Sequence, residues 1–190
     1  MNKLIQIALL GVALSQLHGC AAVVVGGAAT GTSVALDRRT AGAYVGDQEI
    51  ELRAMNRLSE TFKEKPVRIS VTSYNRQSLL TGQVPDEATR ARAAEVVKGV
   101  PEVRAVLNEL AITGVVSLTT QTNDATTTAN IKTRLLRDER VSANNIKVVT
   151  EAGVAYLMGL VTAAEASAAT EITRNTAGVT KVVTLFEFIN

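Results

Sequence analysis

A chain of 190 residues that is 46% hydrophobic and 20% charged has the composition of a folded protein, long enough for one ordinary domain or two small ones. Aromatic residues make up 3%, with no Trp, so the cores must be built from Val, Leu, Ile and Ala. A formal net charge of +2 is too small to imply a nucleic-acid partner, and a single Cys excludes an internal disulfide.

The chain opens with one positive charge in Met1–Lys3 and a short apolar run, Leu4–Leu14, the pattern of a secretory signal. The run is shorter than the roughly 20 apolar residues a spanning helix needs. A retained spanning segment is the alternative, because no Asp, Glu, Lys or Arg occurs between Leu4 and Leu36. Against it, Ser15, Gln16 and His18 interrupt the run, and its second half is weakly apolar. Leu17-His18-Gly19-Cys20 resembles a bacterial lipobox. The resemblance implies cleavage before Cys20, acylation of its sulfur and new amino terminus, and, with Ala21 rather than Asp following, delivery to the outer membrane. Several acyl chains anchor firmly where one would be marginal. The predicted organisation is therefore a signal over 1–19, an acylated Cys and flexible linker over 20–46, and folded units over 47–113 and 122–190.

Loss of His18 with the signal leaves a chain with no His and no free thiol, so nucleophile–His dyads and His or Cys metal sites are unavailable. No nucleophile elbow, P-loop or dinucleotide fingerprint is present, and no cofactor or metal is expected. The linker, rich in Ala, Gly, Val and Thr, reads as a flexible tether. Its one charged cluster, Asp37-Arg38-Arg39, is expected to be solvated or to touch lipid headgroups.

From Asp47 onward the chain is written twice. Ala54…Leu58 matches Ile131…Leu135, Gly82 matches Gly159, and Gly99-Val100 matches Gly178-Val179. Each copy begins with a helix, Gln48–Phe62 with Leu52, Met55 and Leu58 on one side, or Ala125–Arg137 with Ile131 and Leu135 at i, i+4. A strand follows: "VRISVTS" alternates Val67, Ile69 and Val71 with polar residues, and "NIKVVT" is its counterpart. A turn, with Gly153 suited to positive φ in the second copy, leads to a second strand, Ser78–Val84 or Val154–Val161. The interior Gly82 and Gly159 suggest a bulge or a close backbone approach. Asp86 is a good N-cap for the next helix, and Thr162–Glu165 is a capping box. Both helices should end before a glycine at C′, Gly99 or Gly178. A last strand, Val103–Ile112 or Lys181–Ile189, closes each unit. The predicted fold class is α+β: two tandem α-β-β-α-β sandwiches, each a three-stranded sheet covered by two helices. Units of roughly 65 residues are marginal alone, so docking of the two is expected.

This element order, the motifs Leu80-Thr81-Gly82-Gln83-Val84 and Met158-Gly159-Leu160-Val161, and the Gly-Val before the last strand resemble BON domains. Two such domains behind a lipobox are similar to the dual-BON-domain outer-membrane lipoproteins over essentially the whole chain. The resemblance implies mixed sheets and a non-enzymatic protein supporting outer-membrane integrity. It implies association with anionic phospholipids such as phosphatidylglycerol and cardiolipin through the first helix of the second domain, and links to outer-membrane protein assembly and cell division. The matching positions are Thr126, Asn130, Lys132 and Arg134, and Arg137 adds charge one turn on. The family's pattern has a Trp where this chain has Thr126, so binding must lean on charge and the anchor. A lipid-anchored scaffold for the assembly or cell-wall machinery is the alternative. A carboxylate-pair enzyme is a third class, for which no pair stands out. No small-molecule substrate is expected.

Overall fold

The computed structural model describes residues 37–113 and 118–190. The signal, Cys20 and the linker up to Leu36 lie outside the described residues.

The first unit runs α1 (Ala41–Thr61), β1 (Arg68–Tyr74), β2 (Gln77–Val84), α2 (Glu87–Lys98), β3 (Ala105–Asn108) and β4 (Ala111–Ile112). The second runs α3 (Leu118–Arg137), a 3-10 turn (Ala143–Asn145), β5 (Ile146–Glu151), β6 (Val154–Val161), α4 (Ala163–Arg174) and β7 (Lys181–Phe188). In each, a hairpin is joined by a strand parallel to its second member, giving a mixed sheet in the order β1-β2-β3/β4 or β5-β6-β7. In the first unit the last strand is broken at Glu109-Leu110, so β3 and β4 share one position beside β2 rather than forming the single strand expected.

The hairpins close on two-residue turns. Asn75 and Arg76 both have positive φ, as do Ala152 and Gly153, the conformation that matches the strands' twist. In both units an aspartate on the first helix takes the two turn amides. Asp47 accepts from Asn75 N at 2.8 Å and Arg76 N at 2.7 Å; Asp124 accepts from Ala152 N at 2.7 Å and Gly153 N at 2.9 Å. These carboxylates tie a helix to a hairpin whose strand-facing donors would otherwise be orphaned.

The caps of α2 and α4 follow the sequence. Asp86 accepts from Thr89 N at 2.6 Å, and Thr162 and Glu165 form the capping box. The glycine ends follow it only in part: α2 ends at Lys98, directly before Gly99, as expected. Gly99 caps α2 in a right-handed conformation, and α4 ends at Arg174 with Asn175 as its cap. Gly178, φ +90°, comes three residues later, where a Cβ would collide with the Thr127 hydroxyl of α3. A close helix approach, not helix termination, requires that glycine.

Two corrections fall on α1. It begins at Ala41, capped by Thr40 (Ala43 N to Oγ1, 3.1 Å), so residues 41–46 are helix rather than tether. Its buried stripe is Ala43, Gly46, Asp47, Ile50, Ala54 and Leu58, while Leu52 is 64% exposed and Met55 is exposed. Small residues at this spacing let the helix settle close on the sheet, and that phase leaves the larger Leu52 and Met55 outside. On α3, Ile131 and Leu135 are fully buried as expected, although the helix starts at Leu118, not Ala125.

Alternate residues of each strand serve different cores. Val71, Leu80 and Val84 pack under α1 and α2; Val148, Ala155, Leu157 and Val161 pack under α3 and α4. The opposite faces meet each other: Tyr74 and Leu79 cluster with Tyr156 and Met158, flanked by Leu107, Val149, Val183 and Leu185. The result is four layers, helices–sheet–sheet–helices. Polar contacts rim the central layer: Arg68 and Gln83 both donate to Glu151 at 2.7 Å, and Lys147 pairs with Glu51 at 2.9 Å. The Tyr74 hydroxyl donates to the Asn145 carbonyl at 3.0 Å. Gly159 makes that bond possible, since a Cβ there would strike the Asn145 carbonyl oxygen. Gly82 stands in the same relation to the Arg68 carbonyl, at φ +121°.

In Asp37-Arg38-Arg39 both arginines are ion-paired rather than free, and Arg39 is largely buried while Arg38 stays exposed. Arg39 pairs with Asp37 at 2.6 Å and Asp47 at 2.7 Å and lies 4.0 Å from the centre of the Tyr74 ring. Arg38 crosses to the second unit, pairing with Glu165 at 2.7 Å and donating to the Leu160 carbonyl at 3.0 Å. The expectation of solvation treats them as an isolated cluster, whereas the fold surrounds them with four acceptors.

Candidate membrane-contact site

Helix α3 is positioned by three attachments. Ile131 and Leu135 anchor its inner face in the core, Asp124 grips the β5–β6 turn, and Arg134 donates to the Asn175 carbonyl at the end of α4. Arg57 of α1 braces the Gly99 carbonyl in the same way at 2.6 Å. Thr128 adds a hydroxyl bond to Thr150 at 2.9 Å.

All five predicted residues, Thr126, Asn130, Lys132, Arg134 and Arg137, are exposed. Helical spacing brings Thr126, Asn130, Arg134 and Arg137 to one edge, while Lys132 stands on the opposite edge. Thr126 and Asn130 also line an open groove of about 410 Å³ with Asn123, Asp124 and Gly178.

The charge on this helix is one-signed. The one carboxylate in α3 is Asp124, buried and committed to the turn. Among the described residues no carboxylate lies within ion-pairing distance of Lys132, Arg134 or Arg137. The acids that follow the helix are partly occupied: Asp138 pairs with Arg140 at 2.8 Å, and Arg140 reaches Glu171 at 3.2 Å. Hydrogen bonds from the Arg140 side chain and backbone hold the Asp138 carboxyl down at about 2. Thus Arg140 is spent internally, and Lys132, Arg134 and Arg137 carry the outward field.

Two features of the surface escaped the sequence reading. Leu136 is 69% exposed on the outer side of α3. The hydroxyls of Thr126 and Thr133 turn back onto their own helix, donating to the carbonyls of Thr122 (3.0 Å) and Ala129 (2.9 Å). The double leucine Leu135-Leu136 was a signal for the first, because adjacent residues on a helix cannot both face the core. The turn-gripping pair Asp47 and Asp124 was also legible, since the two are 77 residues apart, like Gly82 and Gly159.

The BON domain model matches residues 46–114 and 123–190. The chain belongs to the BON-domain family. It has two such domains, in the arrangement of the DolP type. It is 35% identical over 191 residues to the outer membrane lipoprotein DolP of Haemophilus influenzae, covering 100% of this chain and 99% of that protein. It is 34% identical to a 21 kDa hemolysin of Actinobacillus pleuropneumoniae, over 81% of this chain and 80% of that one. Osmotically-inducible protein Y of Escherichia coli is 31% identical over 63% of this chain and 61% of its own length. Among the described residues no helix is long and apolar enough to cross a membrane.

Proposed function

We propose that this chain is a non-enzymatic outer-membrane lipoprotein, anchored through Cys20 and facing the periplasm, whose second BON domain holds anionic phospholipid and thereby supports envelope integrity. The full-length similarity to a protein named as an outer membrane lipoprotein supports the location. The observation that carries the lipid reading is the outer surface of α3, where Lys132, Arg134 and Arg137 face outward with no exposed carboxylate among them. Each such base near an anionic surface contributes about 1 kcal/mol, so three suffice for weak binding once the anchor has raised the local concentration. Thr126 and Asn130 supply hydrogen-bonding groups at the same edge, and phosphatidylglycerol or cardiolipin headgroups offer the matching acceptors.

The test uses vesicles of phosphatidylcholine with or without phosphatidylglycerol or cardiolipin, and residues 37–190 alone. Binding should appear only with the anionic lipids, fade with salt, and be lost in Lys132→Glu/Arg137→Glu. Arg134 is left intact in that variant because it braces α4. Equal binding to neutral vesicles, or none, would sink the reading. Replacing Cys20 by Ala should release the full chain from the membrane fraction.

A second reading, a protein-interaction scaffold for the assembly or cell-wall machinery, is favoured by one observation. Val45, Leu52 and Met55 leave an apolar stripe on α1, in the helix layer on the other side of the two sheets from α3. Crosslinking in intact cells from Leu52 and from Arg137 separates the two: protein adducts at the first and lipid adducts at the second fit both roles together.

A further inference from the structure

The last strands of the two units end their sheets differently. In the first unit that strand is interrupted at Glu109-Leu110, and Leu110 turns into the core, so β3 and β4 offer only short stretches of open edge. Breaks of this kind keep a sheet edge from pairing with another chain. On the other outer strand of that sheet, β1, Glu51 of α1 takes the Ser73 amide at 2.7 Å. In the second unit β7 runs unbroken from Lys181 to Phe188, and among the described residues it pairs with β6 alone. Ile189 N donates to the Val161 carbonyl at 3.0 Å, which with the register fixes the phase of the ladder: the odd-numbered residues of β7 bond β6. The amides and carbonyls of Val182, Thr184 and Phe186 therefore face the open edge. On the helix side of the strand, Thr184, Phe186 and Phe188 line an open groove of about 510 Å³ against α4. Thr184 is exposed, and Phe188 is 68% exposed.

The sequence along this edge, Lys181-Val182-Val183-Thr184-Leu185-Phe186-Glu187, is complementary to its own reverse. Laid antiparallel about a two-fold axis at Thr184, it sets Lys181 opposite the partner's Glu187, Val182 opposite the partner's Phe186, Val183 opposite the partner's Leu185, and Thr184 opposite its own copy. Each is a favourable cross-strand pair: opposite charges, β-branched with aromatic, aliphatic with aliphatic, threonine with threonine. The phase of the ladder agrees. This axis makes hydrogen-bonded pairs of Thr184 with Thr184 and of Val182 with Phe186, the residues whose main chain points outward. Moving the axis one residue, to Leu185, puts Val183 against Glu187 and Lys181 against Ile189. We propose that β7 is a self-recognition edge, where two copies of this chain join antiparallel and merge their three-stranded sheets into one. A strand of another protein would need no such symmetry, since only an isologous contact requires a sequence to match itself. The charged ends are available for it. Among the described residues the exposed Lys181 makes no ion pair, and Glu187, bonded by Asn75 at 2.9 Å, has only a long contact of 3.6 Å with Arg104. The second copy also narrows the groove, laying the partner's Val182 and the partner's Thr180 beside Phe186 and Phe188. Nothing in this contact involves α3.

The test is disulfide trapping in the full chain, reconstituted in phosphatidylcholine vesicles so that lipid charge does not enter. The unchanged chain, whose one Cys is Cys20, sets the background. In the pairing above, the two Thr184 Cα atoms lie about 5.5 Å apart, within disulfide reach, and the two Phe188 Cα atoms about 26 Å apart. Under mild oxidation Thr184→Cys should give at least about fivefold more crosslinked dimer than Phe188→Cys. Charge then tests the register. Lys181→Glu and Glu187→Lys, each placed in the Thr184→Cys chain, should each lose the dimer, because each sets like charges opposite one another. Mixing the two variants in the same vesicles should restore it, since only the mixed pair matches acid with base at both ends. A variant that merely disturbed the fold would not be rescued by mixing. No crosslink above background in Thr184→Cys would overturn the proposal. So would equal trapping at 184 and 188, a dimer that survives Lys181→Glu, or a loss that mixing does not repair.

Discussion

Helices α1 and α3 occupy the same place in two copies of one unit, and they differ most on the side that faces away from the fold. Inward, the correspondence is close: Asp47 and Asp124 grip the hairpin turn, Arg57 and Arg134 brace the end of the following helix, and Leu58 and Leu135 fill the core. Outward, α1 carries Glu49 paired with Arg53, the exposed Glu60, and three exposed apolar residues. Helix α3 carries bases alone, around alanine, threonine and Leu136. A duplicated fold is held by the shared inner residues, which leaves the outer surfaces free to be spent on different partners. A second difference is that Asp47 also bears Arg39, whereas Asp124 has only its turn.

The largest effects should come from the two strand glycines. Alanine at Gly82 must adopt φ near +121° and drive its Cβ into the Arg68 carbonyl, so Gly82→Ala should cost about 4 kcal/mol or more in denaturant unfolding. Gly159→Ala meets the Asn145 carbonyl without the positive φ and should cost less, but it also displaces the acceptor of Tyr74 and so loosens the sheet–sheet contact. Equal costs at both positions would show that the collision, not the backbone conformation, dominates.

Next come the aspartates. Asp47→Ala strands two turn amides and takes one of the two carboxylates from Arg39, which keeps Asp37, so a loss of about 2–4 kcal/mol is expected. Asp124→Ala strands two amides and no charge, for about 1–3 kcal/mol. A chemical-denaturation pair that gave the reverse order would break the view of Arg39 as a buried, paired residue.

The outer surfaces give a comparison without a stability change. Thr126→Glu with Arg137→Glu writes the acids of α1 onto α3 and should weaken binding to phosphatidylglycerol vesicles at least about tenfold, with the unfolding midpoint unmoved. The converse, Glu49→Gln with Glu60→Gln on α1, should leave binding unchanged; a gain would mean that α1 also reaches the membrane.

The smallest effect is pH-dependent. A side-chain bond from Arg38, with the Thr162 backbone and hydroxyl bonds, holds the Glu165 carboxyl at about 2, below its ordinary value near 4.3 in an unfolded chain. A depressed value means that the unfolded chain binds the proton first. The pair therefore stabilises fully above about pH 5 and loses its contribution as pH falls toward 2. Arg38→Ala should lower stability at neutral pH and converge with the native chain in acid; a constant difference across that range would assign the loss to the guanidinium bond to the Leu160 carbonyl instead.

Much of this was legible in order along the chain. The repeat, the alternating strands, both caps and the close approach at Gly82 and Gly159 are local or pairwise facts, written in residue type and spacing. The five candidate lipid residues are exposed because the phase of Ile131 and Leu135 fixes which side of α3 is inside. On α1 the same reasoning placed Leu58 correctly but Leu52 and Met55 on the wrong side, because a small-residue stripe of Ala43, Gly46 and Ala54 buries as well as a leucine stripe and leaves a weaker mark. What the sequence by itself determined is the unit and its duplication, since periodicity and caps depend only on neighbours within a few residues. The tertiary structure alone decided that the two sheets share a core, that Arg38 and Arg39 close the interface they seemed to lie outside, and that the threonines of α3 turn their hydroxyls inward. Each of those depends on a partner supplied by a distant segment or on a rotamer choice, and spacing records neither.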